Sequence, residues 1–447
     1  MNVTLEKGQN LAQALAAQGV YMDLPCGGNG TCGLCKVRLA GLGEIKACRF
    51  RVPGTYAVTL PNTMQFDAIT LEPEAGGKIP DIRPAAGWDD RPQMVVDLGT
   101  TTIVCKAFYR GQEASVWGVN PQRYFGADVT SRIQAAVMGH TAELQDMVCH
   151  FLLEAREKLE TRLGAGISHV LVAGNTTMEH LLWGWDCKGL GRAPFTPVSL
   201  QLTQDVLPQI GGAQVCTIPG ISAYVGGDIV SGIWRLGMHR GSSVQLLIDL
   251  GTNGEMALSK DGRLYVTSTA AGSAFEGSAP ARKIYASGVF RCLHQMLEIG
   301  RMDETGLLHP ECDDGVTPEV EITQEDIRDF QMAKAAIRAG IESLLAFAGL
   351  KANEVDGIYL AGGMGYYLDT NDALALGMLP QEFADKTRPA GNVALAGIVG
   401  MLQEGMEQTK AELEAICASS QEILLANDPL FAENYIRYMN FNKRKKC

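Results

Sequence analysis

From residue 93 onward, short apolar runs alternate with longer stretches of helical spacing. The runs Met94-Val95-Val96, 103–109, Val170-Leu171-Val172, 244–248 and Ile358-Tyr359-Leu360 predict buried strands, several of them ending in glycine-rich turns. Residues 142–163 and 327–350 have the length and apolar period of helices, and Thr323 with Asp326 is spaced as a capping box for the second. Alternation of this kind predicts α/β architecture. Upstream, Asn10 predicts the cap of a short helix over 11–18, and 56–60 and 68–71 predict strands. Residues 73–92 are rich in Pro and Gly without a period, which predicts a linker.

One pattern occurs twice. Val95-Val96-Asp97-Leu98-Gly99-Thr100 and Leu247-Ile248-Asp249-Leu250-Gly251-Thr252 are each an apolar strand that ends in Asp-Leu-Gly-Thr. Two copies at domain-sized separation predict two similar lobes serving one ligand, not a solenoid.

Composition narrows the function classes. With 46% apolar and 20% charged residues in 447, the chain reads as globular, with ample length for a core. A net charge of −12 argues against nucleic acid or an anionic membrane as the main partner. The basic run Lys443-Arg444-Lys445-Lys446 reads as a solvated tail. No stretch has the length and apolarity of a transmembrane helix, and the opening Met1 to Gly8 lacks a basic stretch followed by an apolar run. The expected location is the cytoplasm, where disulfides are an unlikely use for the 12 cysteines.

Four of those cysteines crowd together. Cys26, Cys32 and Cys35 have the spacing C-x5-C-x2-C inside a glycine-rich segment, and Cys48 follows. A loop wrapped around an inorganic cluster must turn tightly and bring backbone N–H groups to sulfur, which suits glycine. The pattern is one residue longer in its first interval than the plant-type C-x4-C-x2-C arrangement of [2Fe–2S] proteins. A [2Fe–2S] cluster on Cys26, Cys32, Cys35 and Cys48 is the leading reading. Zinc, which favours two C-x2-C knuckles, and plain structural thiols are the alternatives.

The repeated turns suit phosphate. Glycines such as Gly99 and Gly251 let backbone approach a phosphoryl group, and Thr100, Thr101, Thr102, Thr252 and Asn253 can donate to it. Asp97 and Asp249 can hold Mg²⁺ directly or through water. Asp228 and Glu255 are candidates to orient or deprotonate an attacking water. Asn175 and Thr176 lie between a strand and a helix, where capping is the plainer reading. Gly272 and the cluster Gly362, Gly363 and Gly365 read as nucleotide-facing loops, against the alternative of simple tight turns.

On these residues the chain resembles the superfamily of acetate and sugar kinases, Hsp70 and actin. Its phosphate-1 loop falls at 97–102, its phosphate-2 loop at 249–254 and its adenosine loop at 361–365. With the N-terminal cysteines, and with the strings at 174–178, 224–228 and 270–277, it resembles the ATP-dependent reductive activators of corrinoid proteins. The resemblance implies an α+β multidomain fold. A small β-grasp-like [2Fe–2S] ferredoxin domain (1–72) and a flexible linker (73–92) would precede a two-lobed α/β ATPase of the actin and Hsp70 type (93–238 and 239–428) and a tail (429–447). It implies ATP and Mg²⁺ as further cofactors, and a Co(II) corrinoid protein as electron acceptor. It also implies an unidentified reductase or ferredoxin as donor, and a homodimer as the assembly. Relatives often carry a middle domain after the ferredoxin part, a place the linker 73–92 is expected to fill here. Other readings are an ATP-driven donor to another low-potential enzyme, of the dehydratase-activator kind, a small-molecule kinase with an accessory cluster, and an ATP-sensing ferredoxin-like binding protein.

Overall fold

The computed structural model describes residues 1–442 apart from 17, 19, 21, 23, 25, 31, 32, 34, 61–90, 272–285 and 310–321. Cys32, Gly272, the expected strand 68–71, nearly all of the linker and the basic tail lie outside the described residues. The chain forms two compact units. One comprises Met1–Thr70, Asp90–Ser199 and Gln204–Cys216, and the other chiefly Thr217–Cys447.

The first unit opens with a small antiparallel sheet of β1 (Asn2–Leu5), β2 (Lys36–Leu39), β3 (Gly43–Lys46) and β4 (Gly54–Thr59), in the order β1-β4-β2-β3. Its period of two buries Val3, Leu5, Val37 and Leu39 and leaves their neighbours exposed. Against that face the helix Leu11–Ala16 lays Leu11, Ala12, Ala14 and Leu15. Asn10 starts this helix. Its side chain accepts from the Gln13 N–H at 2.9 Å, and its own N–H donates to Gln13 Oε1 at 2.9 Å.

The rest of this unit is built on a six-stranded sheet, β7-β6-β5-β8-β10-β9, from β5 (Gln93–Leu98), β6 (Thr102–Tyr109), β7 (Gln112–Val119), β8 (His169–Gly174), β9 (Thr203–Leu207) and β10 (Ala213–Thr217). Central β5 is apolar on both faces: Met94, Val95, Val96 and Leu98 are all fully buried. The helix Thr141–Leu163 ends at Gly164 in the left-handed region.

The second unit carries a matching sheet, β15-β14-β11-β12-β13-β16, from β11 (Gln245–Leu250), β12 (Gly254–Lys260), β13 (Arg263–Thr269), β14 (Gly357–Ala361), β15 (Thr387–Gly391) and β16 (Ser420–Glu422). In both sheets the strand ending in Asp-Leu-Gly-Thr pairs antiparallel with the next strand and parallel with a later one. The sequence repeat is therefore a repeat of topology. The helix Gln324–Phe347 covers one face, with Ile337, Ile341 and Leu344 against Ile248, Met256 and Leu258. Its start is the expected capping box: Thr323 N–H donates to Asp326 Oδ2 at 2.7 Å and Asp326 N–H to Thr323 Oγ1 at 3.3 Å. Among the described residues no helix is long and apolar enough to cross a membrane.

Candidate functional site: a thiol pair and two phosphate-type turns

The β2–β3 hairpin decides how the cysteines meet. Lys36 pairs with Lys46, so Cys35, just before β2, and Cys48, just after β3, are brought to the same end of the hairpin. The Ala47 N–H donates to the Cys35 carbonyl at 2.8 Å and closes that end. Both thiols are fully buried and their sulfurs are 3.2 Å apart without a disulfide. Cys26 is half-buried. Its loop turns through positive φ at Gly27, Gly28 and Gly30, passes over Cys48 so that a Cβ on Gly28 would lie 3.8 Å from Cys48 Cβ, and is pinned by Lys46 Nζ on the Gly30 carbonyl at 2.7 Å. An unbridged pair of buried thiols under a tight glycine loop fits a metal–sulfur group, whose ligands are thiolates.

The first phosphate-type turn, residues 99–102, is held from three sides. Asn120 Nδ2 donates to the Gly99 carbonyl at 2.9 Å, Arg132 Nη2 to the Thr100 carbonyl at 2.6 Å, and the Asn120 N–H to the Thr101 carbonyl at 2.8 Å. Asn175 joins this set in two ways. It caps the helix Thr176–Trp183 by accepting from the Met178 N–H at 3.0 Å, and its Nδ2 donates to Thr100 Oγ1 at 2.9 Å. The cap and the tie to the turn thus coincide in one side chain. Thr176 is buried and its carbonyl meets His180 Nδ1 at 2.7 Å. Gly99 has no alternative: a Cβ there would lie 2.5 Å from the Thr102 carbonyl oxygen.

The second turn differs by one residue. In the first copy Leu98 pairs with Ile103, so Asp97 faces Val104; in the second Leu250 pairs with Gly254, so Asp249 faces Glu255. The turn closes through the Gly251 N–H on the Asn253 carbonyl at 3.0 Å, and Thr252 is buried. Asp228 stands in the first turn of the helix Gly227–Leu236. Burial pushes its carboxyl up to about 6. Glu255 is raised well above the usual carboxylate range, first by burial and then by the charges of Asp228 and Asp249. Asp228, Asp249 and Glu255 therefore form one interacting carboxylate group in this unit. Gly362, at φ +79°, approaches the group so closely that a Cβ would lie 2.5 Å from Asp249 Oδ1. Gly365 is packed on Leu360 and Gly363 is exposed.

The candidate residues thus fall into two sets. Asp97, Thr100, Thr101, Thr102, Asn175 and Thr176 belong to the first unit; Asp228, Asp249, Gly251, Thr252, Asn253, Glu255 and the 362–365 glycines belong to the second. Sequence reasoning missed Asn120 and Arg132. The Asn-Pro step at 120–121 is a helix-start signal, but nothing local says that its side chain reaches back to Gly99. It also missed Ser222, whose hydroxyl donates to Glu422 at 2.6 Å and accepts from the Tyr224 and Val225 N–H groups, fixing the loop that leads to Asp228.

Two mixed sheets, each with a central strand ending in Asp-Leu-Gly-Thr, define the class: an ATPase-type fold of the acetate kinase, Hsp70 and actin kind. Comparison with known families agrees and narrows it. Residues 93–241 match the RACo middle region, and residues 243–287 and 279–446 match the C-terminal domain of RACo, the ASKHA domain. These two matches run from residue 93 to 446, so the chain carries both regions described for RACo. The middle region is therefore present. It spans nearly the same residues as the expected first ATPase lobe, 93–238.

The corrinoid activation enzyme RamQ of Eubacterium limosum is 28% identical over 446 residues, covering 81% of this chain and 72% of that protein. The [Co(II) methylated amine-specific corrinoid protein] reductase of Methanosarcina barkeri is 25% identical over 238 residues, 42% of this chain and 44% of that protein. Among solved structures, a reductive activator for corrinoid, iron-sulfur protein superposes with a TM-score of 0.72 at 23% identity, covering 98% of this chain and 96% of that one. That likeness bears on the fold.

Proposed function

We propose that this protein is an ATP-dependent reductive activator that returns a corrinoid protein from Co(II) to Co(I), the electron coming from a [2Fe–2S] cluster held by Cys26, Cys32, Cys35 and Cys48. The observation that carries the reading is that one chain joins a buried, unbridged thiol pair to two phosphate-type turns, one backed by carboxylates. The names of its relatives, a corrinoid activation enzyme and a Co(II) corrinoid protein reductase, support the same reading.

When bound, the cluster would supply one electron, at a potential of roughly −400 mV for the plant type. The substrate cobalt gains that electron, and forming Co(I) is uphill from such a donor. ATP must therefore be linked to the transfer. It can shift the equilibrium only by binding two states of the protein unequally, and hydrolysis resets the protein.

The residues divide this work. Thr100, held by Asn175 and Arg132, presents its hydroxyl to phosphate, with Thr101 and Thr102 beside it. Thr252 and Asn253 do the same from the second turn. Asp249 would hold Mg²⁺, with Asp97 as its counterpart in the first copy. Glu255, opposite Asp249, orients the attacking water and takes its proton, and Asp228 supports it. Burial and its carboxylate neighbours raise Glu255 above the usual carboxylate range, the direction that makes a carboxylate a stronger base. Gly362, Gly363 and Gly365 line the adenosine side.

The test is to mix the anaerobic, cluster-loaded chain with Co(II) corrinoid proteins, with and without ATP, and follow cobalt absorbance. ATP-stimulated Co(I) formation is expected, and Asp249→Ala should abolish it while the cluster spectrum stays intact. Unchanged reduction in Asp249→Ala would remove the nucleotide half of the reading. A chain that loads no two-iron cluster would remove the other half.

A further inference from the structure

The segment behind the first phosphate-type turn also reaches the cysteine-bearing domain. Its short 3-10 turn, Pro121–Phe125, begins at Asn120, whose side chain and N–H hold the carbonyls of Gly99 and Thr101. Just beyond its end, Gly126 gives its carbonyl to Arg132 Nε at 3.1 Å, and the same guanidinium holds the Thr100 carbonyl. Both ends of this piece are therefore tied to the same three-residue stretch of the phosphate turn. Internally, Asn120 Oδ1 accepts from the Gln122 N–H at 3.0 Å, and Gln122 Nε2 donates to the Leu144 carbonyl at 2.8 Å. Tyr124 stands in the middle. Its ring meets Phe125 edge-on at 5.1 Å and packs against the apolar core of the small sheet, the core that contains Cys35 and Cys48.

We propose that Tyr124 is a positioning residue that transmits nucleotide occupancy at the 99–102 turn to the cysteine core, through the Asn120–Arg132 segment. This rests on the reading of the turn as an ATP phosphate site. A ligand that shifts the turn must carry its three engaged carbonyls with it or break their hydrogen bonds. The segment bonded to those carbonyls moves as one piece, because both of its ends are held. Tyr124 then changes its contact with the small sheet, which gives ATP the unequal affinity for two states that coupling needs. The chain between them ties that sheet to β5 covalently, and this aromatic contact supplies a non-covalent route.

The experiment uses the full-length chain in cluster-loaded and cluster-free forms. Hydrogen–deuterium exchange over residues 35–50 is measured with and without Mg·ATP, and ATP affinity is measured by calorimetry. ATP is expected to change exchange over 35–50 by about fivefold or more, the lower end of coupling between linked sites. Tyr124→Ala should erase that response with ATP affinity retained, and Tyr124→Phe, which keeps the ring, should preserve it. Scoring the cluster-free chain keeps the result readable if the alanine variant loses iron. A full response in Tyr124→Ala, or none in the wild type while ATP binds, overturns the coupling and leaves the proposed function standing. Absence of ATP binding overturns both.

Discussion

Asp249 faces Glu255 across the antiparallel pair β11–β12, whereas its counterpart Asp97 faces Val104 across β5–β6. The two copies of Asp-Leu-Gly-Thr are alike in sequence and topology but not in chemistry. The second turn is one residue shorter, and that shift sets a carboxylate opposite the aspartate. A buried acid beside two others is costly as an anion, so on the proposed reading the second copy is where a proton would be handled.

Glu255→Gln should therefore lower ATP turnover by about 10²–10⁴-fold, the usual range for losing a general base, with ATP still bound. Phosphate release and calorimetry measure the two quantities. Turnover within a few-fold of wild type would move the base to another residue.

Asn175 serves as cap and as donor to Thr100, and two substitutions separate these roles. Asn175→Ala loses both and should cost about 1 kcal/mol of stability. Asn175→Asp keeps the cap but puts a negative charge where phosphate is expected. Its unfolding midpoint should stay near wild type while ATP affinity falls about tenfold or more, since like-charge juxtaposition costs several kcal/mol. Urea unfolding and calorimetry read the pair; unchanged affinity in the aspartate variant would detach Asn175 from the nucleotide.

Cys35→Ser should abolish iron loading and the electron-spin signal seen after dithionite reduction. ATP hydrolysis should persist, because the nucleotide residues lie on other sheets. A variant that keeps a two-iron signal would show that Cys35 is not a ligand, despite its 3.2 Å approach to Cys48.

Lys334 supplies a pH dependence remote from the nucleotide turns. It is fully buried on the helix Gln324–Phe347, donates to the carbonyls of Tyr438 and Asn440 at 2.7 and 2.5 Å, and lies over the Phe441 ring. Burial pushes its amine down to about 7, with the nearby Arg338 charge adding to the effect. An unfolded lysine holds its proton to about 10.4, so between these values the unfolded chain binds more protons. Stability should therefore rise as pH increases from 7 toward 10 and be lost as pH falls through 7, by an amount on the order of a few kcal/mol. The two carbonyls favour the ammonium and trim that figure. Urea unfolding at several pH values checks the slope, and Lys334→Met should flatten it.

Local signals were legible in the sequence. The Asp-Leu-Gly-Thr repeat, the cysteine spacing, the Thr323–Asp326 capping box and the strand at 358–360 all depend on residues a few positions apart, and their backbone consequences are set by sterics and short-range hydrogen bonds. The fold class followed from them. Contacts between residues far apart in sequence were not legible. Asn120 and Arg132 reach the first turn from 21 and 32 residues away, Tyr124 meets the cysteine core, and Ser222 meets Glu422. The presence of a middle region at 93–241 likewise escaped the motifs, because its sheet repeats the topology of the next. Sequence alone thus determined the local motifs and the turns they build. Tertiary structure decided which residues face one another, because strand register and helix packing, fixed by burial over the whole core, choose the partners that no local pattern records.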